Sequence, residues 1–69
     1  MEEYIVILVD EGIVQSVSVW TEFPLAKKEA VQFAAKCIRK QKESDSYAQI
    51  WSYSILYTTT TLLETLPEK

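Results

Sequence analysis

Two strand-forming runs meet at the only glycine of the chain, and that junction constrains the fold more than any other feature. Tyr4 to Val9 is an unbroken, largely β-branched apolar run, Asp10, Glu11 and Gly12 follow it, and Ile13 to Trp20 is β-rich again. Apolar runs of this length separated by two or three turn residues predict a β-hairpin, with Gly12 supplying the positive φ its tight loop needs. The second run places Ile13, Val17 and Val19 on one face and Ser16 and Ser18 on the other, whereas the first is apolar on both faces. A strand apolar on both faces belongs in the middle of a sheet, so Tyr4 to Val9 is predicted as the central strand and Ile13 to Trp20 as an edge.

After the hairpin the period changes. Thr21 suits a helix N-cap and Pro24 a first turn, and Ala26, Ala30, Phe33, Ala34, Cys37, Ile38 and Gln41 then recur at three- and four-residue spacing. This predicts an amphipathic helix from about Pro24 to Lys42, with an alanine-rich stripe that lets it lie close on a sheet. Glu43 to Ser46 reads as its end and as the only linker. Strand formers return from Tyr47 to Thr61 without a Gly, Pro or Asn to mark a turn. Such a stretch is long for one strand, so it either overruns the sheet or splits near Ser52 to Ser54 into two. Leu62, Leu63 and Leu66 read as one helical turn against the core or a frayed end.

The expected architecture is therefore one α+β domain over residues 1–69: a single-layer sheet of order 2-1-3, made of a hairpin, a helix and a third strand, with a fourth strand as one outcome for residues 47–61. A right-handed crossover makes the second and third strands parallel to each other. One helix covers one face. The other is expected to carry part of Tyr4, Val6 and Leu8, together with Trp20 and a share of Tyr47, Trp51, Tyr53 and Tyr57, which is much apolar surface to leave in water.

Composition narrows the chemistry. The 69 residues contain one cysteine, Cys37, and no histidine, which excludes an intramolecular disulfide, a mixed Cys/His zinc site and any Ser-His-Asp or Cys-His centre. The helical phase of Cys37 places it among Ala30, Phe33, Ala34 and Ile38 as a core thiol, and one glycine cannot build a phosphate-binding loop. The expectation is a non-enzymatic protein with no catalytic residues, cofactor or metal. Acidic Glu2 and Glu3 stand where a signal peptide would carry bases, and no run approaches the ~20 apolar residues of a membrane span. With a lone thiol, this points to the cytoplasm.

A small chain without disulfide or metal support is expected to gain stability by self-association, a dimer first, through Trp20, Tyr47, Trp51, Tyr53 and Tyr57. The formal net charge of −3 conceals an uneven distribution. Residues 27–42 hold six of the seven bases against Glu29, a local net of +5, and the rest of the chain sums to −8. Lys28, Lys36, Arg39, Lys40 and Lys42 spread over the helix face opposite the apolar stripe, as a solvated face or, as the alternative, one that binds nucleic acid through its phosphates. Glu2, Glu3, Asp10 and Glu11 form the acidic counterpart, suited to a basic protein site of the kind that viral or host-defence inhibitors engage.

Overall fold

The computed structural model describes residues 2–40 and 45–67. Strand β1 (Glu2–Asp10) turns through Glu11 and Gly12 into β2 (Ile13–Trp20), helix α1 (Phe23–Arg39) follows, and β3 (Tyr47–Ser54) and β4 (Thr59–Leu66) complete the chain. All neighbouring strands are antiparallel and the order is β2-β1-β3-β4, so the expected 2-1-3 arrangement is present and extended by one strand. Because β2 and β3 both run against β1, they are parallel to each other across it, as the crossover requires.

The first turn takes left-handed backbone at both central residues, φ 53° at Glu11 and 78° at Gly12. Two consecutive positive φ values match the right-handed twist of the flanking strands, which explains why the glycine sits there. The turn is fastened from outside as well. Gly12 N donates to Asp45 O at 2.9 Å, Glu11 N donates to the Ser46 hydroxyl at 3.0 Å, and that hydroxyl donates to Asp10 Oδ1 at 3.0 Å. Ser46 is thus a buried polar group with its hydrogen bonds made.

Helix α1 begins one residue before Pro24 and ends at Arg39. Its N-cap is Glu22, without a side-chain capping bond, and not Thr21. Gln41, Lys42, Glu43 and Ser44 lie outside the described residues. The alanine stripe does what its size suggests: Ala26, Ala30 and Ala34 meet Val6, Ala48, Ile50 and Leu66 in the core, and Cys37 is buried as expected. Tyr4, Leu8, Trp20, Phe23 and Phe33 close around this cluster, the Tyr4 and Phe23 rings meeting edge to face at 5.5 Å. Ile38, read from its spacing as part of the stripe, is 65% exposed and lies off the contact.

Residues 47–61 split, one of the two outcomes expected, with the break just past Ser52 to Ser54. Ile55 to Thr58 turns the chain, with φ 51° at Thr58, and β4 folds back on β3. Leu62, Leu63 and Leu66 are accordingly strand residues, neither a helical turn nor a frayed end. Lys27 on α1 forms an ion pair with Glu64, tying the helix to this outer strand.

Candidate functional site: the uncovered sheet face

Period-two geometry divides the sheet residues between a face under α1 and a face without cover. The covered face holds Tyr4, Val6 and Leu8 of β1, with Trp20, Ser18 and Ser16 opposite them on β2 and Ser52, Ile50 and Ala48 on β3. The alternate residues form the open face: Glu3, Ile5 and Ile7 on β1, Val17 and Val19 on β2, and Tyr53, Trp51, Gln49 and Tyr47 on β3. Leu62 pairs with Trp51 and Thr60 with Tyr53, extending that face onto β4.

This division corrects the sequence reading in two places. Tyr4, Val6, Leu8 and Trp20 belong under the helix, and the valines of β2 are the residues left in water, with Val17 and Val19 each 60% exposed. The reason lies in Trp20 and in a polar link that alternation alone does not show. The Trp20 indole donates to Ser18 Oγ at 2.9 Å, and Ser18 donates to Glu29 Oε2 on α1 at 3.0 Å. Trp20 packs against the core and Ser18, two residues before it, shares its face and carries the bond that joins β2 to α1, so Val17 and Val19 take the other side. Tyr57 is also displaced: it lies in the Ile55–Thr58 turn, 71% exposed, and not in the row with Tyr47, Trp51 and Tyr53. Those three are half-buried on the open face, where the Trp51 indole donates to Gln49 Oε1 at 3.2 Å.

The charged candidates occupy other surfaces. Lys28, Lys36 and Arg39 are exposed on the outside of α1 and Lys40 is exposed at its C-cap, while Lys42 falls outside the described residues. Glu29, the helix's own carboxylate, turns inward to Ser18, so this outer arc is basic. Glu2 and Glu3 pair with Ser54 and Tyr53 at one end of the sheet, and Asp10 and Glu11 stand at the other, so the four acids form two clusters rather than one. A shallow groove of about 400 Å³ between α1 and β2 is lined by Trp20, Leu25, Lys28, Glu29 and Gln32. Among the described residues, no three His, Cys, Asp or Glu side chains come together as a metal site would require, and no helix is long and apolar enough to cross a membrane.

Set against protein families, characterised proteins and solved structures, the chain matches none.

Proposed function

We propose that this is a non-enzymatic interaction protein that works as a homo-oligomer, two copies meeting through their open sheet faces. One observation carries the reading: Ile5, Ile7, Val17, Val19, Trp51 and Leu62 form a connected apolar surface on the side of the sheet away from α1. Isolated exposed apolar residues are ordinary, but a contiguous patch of this kind marks an interaction surface. Its occupant follows from charge. Among the described residues the open face carries no base and one acid, Glu3, while the exposed bases lie on α1 in the opposite layer. A nucleic acid or an anionic lipid surface requires cations at the contact. An aromatic-containing surface with a single charge, Glu3 at its end, suits a partner equally apolar, and the same face of a second copy is such a partner, related by a two-fold axis.

Leu62→Lys tests this at a strand position that is already 43% exposed, so the monomer tolerates it. A buried, unpaired ammonium at the contact should weaken self-association at least about tenfold by light scattering. Lys36→Glu, on the opposite layer, should leave it unchanged. Equal association of Leu62→Lys and the unmodified protein would reject the open face as the contact.

A further inference from the structure

The sheet has two outer strands, and they are not alike. Outer strands turn alternate N–H and C=O groups away from the sheet, and proteins normally protect such an edge with lysine, proline, an inward charge or a bulge. Strand β4 carries Glu64, held by Lys27 at mid-strand, and an irregularity in its pairing at Ile50 and Trp51. Strand β2 contains no charged residue, no proline and no glycine in its eight positions, and every residue from Ile13 to Val17 is exposed. Its one irregularity, opposite Leu8 and Val9, leaves Ser16 to Trp20 as an uninterrupted stretch. The helix packs chiefly over β1 and β3 and meets β2 only near Ser18 and Trp20, leaving Ile13 to Val17 exposed.

We infer that the outer edge of β2 is a second self-association surface, pairing antiparallel with β2 of another copy. The occupant is argued from the sequence of the strand itself. Around Ser18 the triplet Val17, Ser18, Val19 reads the same in both directions, with Ser16 and Trp20 as the next pair. A two-fold axis through Ser18 sets Val17 opposite the second copy's Val19, keeps both valine rows on the open face, and brings no like charges together. The two sheets then join as one eight-stranded sheet.

This edge contact is a different surface from the open face. Four strands of about eight residues, spaced ~4.8 Å apart with a rise of ~3.3 Å per residue, give a planar footprint of about 500 Å², at the weak end of the range for a specific interface. Joining two open faces through β2 doubles the platform, and two such sheets stacked face to face make a tetramer of dihedral symmetry.

Amide exchange followed by NMR across a concentration series tests the edge directly. The outward-facing amides among Ser16 to Trp20 should become protected as the concentration rises, while those bonded to β1 are protected throughout. Ser16→Lys adds a charge to the edge at an exposed position on the helix side, outside the open face. It should weaken the edge contact at least about tenfold and reduce the largest species from tetramer to dimer. Association with outward β2 amides that exchange equally fast at every concentration would overturn the edge contact and leave the open-face contact standing. Concentration-dependent protection of these amides, together with association of Leu62→Lys equal to that of the unmodified protein, would establish the edge contact and reject the open face. A protein that is monomeric throughout the series overturns both.

Discussion

Gly12 and Thr58 both occupy left-handed backbone, and the sequence treats them in opposite ways. Gly12, at φ 78°, has no atom within 4 Å of where a Cβ would stand, so replacing it meets a backbone cost without a steric one. Gly12→Ala should destabilise the protein by about 1 kcal/mol, lowering the midpoint of thermal unfolding by about 4–8 °C in a domain of this size. Thr58, at φ 51°, is a β-branched residue where such residues are rare. Thr58→Asn, which tolerates this conformation, should raise stability by up to about 1 kcal/mol. Thermal denaturation of the two variants should give shifts of opposite sign, and shifts of the same sign would contradict the turn geometry. The contrast also explains which turn was legible. Gly12 announced the first hairpin. Nothing in Ile55, Leu56, Tyr57 and Thr58 announced the second, because the chain turns there on residues whose preferences favour strand.

At the scale of elements, the central position of β1, the helix and the return strand followed from periodicity, since apolar spacing changes from two to three and four between Trp20 and Ala26. The faces did not follow. A strand apolar on both sides, such as Tyr4 to Val9, does not say which side a helix covers. The alternation in β2 misleads because Ser18 shares its face with Trp20, which packs against the core under the helix, and Val17 and Val19 take the other side. Strand β4 was legible as one of two outcomes, and its attachment rests on Leu66, which is buried against the core, and on the Lys27–Glu64 pair. Leu66→Ala should therefore cost about 2 kcal/mol in chemical denaturation. Leu63→Ala, at a position 42% exposed, should change stability by less than about 0.5 kcal/mol. Equal effects would mean that β4 is not held as described.

For the whole molecule, the sheet provides a boundary between two surfaces of different character. On one side α1 covers a small core in which Val6 and Ile50 are fully buried, and its outer arc holds Lys28, Lys36, Arg39 and Lys40. On the other side Ile5, Ile7, Val17, Val19, Trp51 and Leu62 have no second layer. A 69-residue chain buries a smaller share of its surface than larger domains do, and this uncovered face is apolar surface that the proposed self-association would bury. The sequence showed that one helix would leave a sheet face bare, and the structure determines which residues compose it. Sedimentation equilibrium of the unmodified protein across the micromolar range tests this account most directly. It predicts a mass that rises above that of the monomer with concentration, accompanied by a blue shift of the Trp51 emission as the open face is buried. A mass that stays at the monomer value throughout, with unchanged emission, would contradict it.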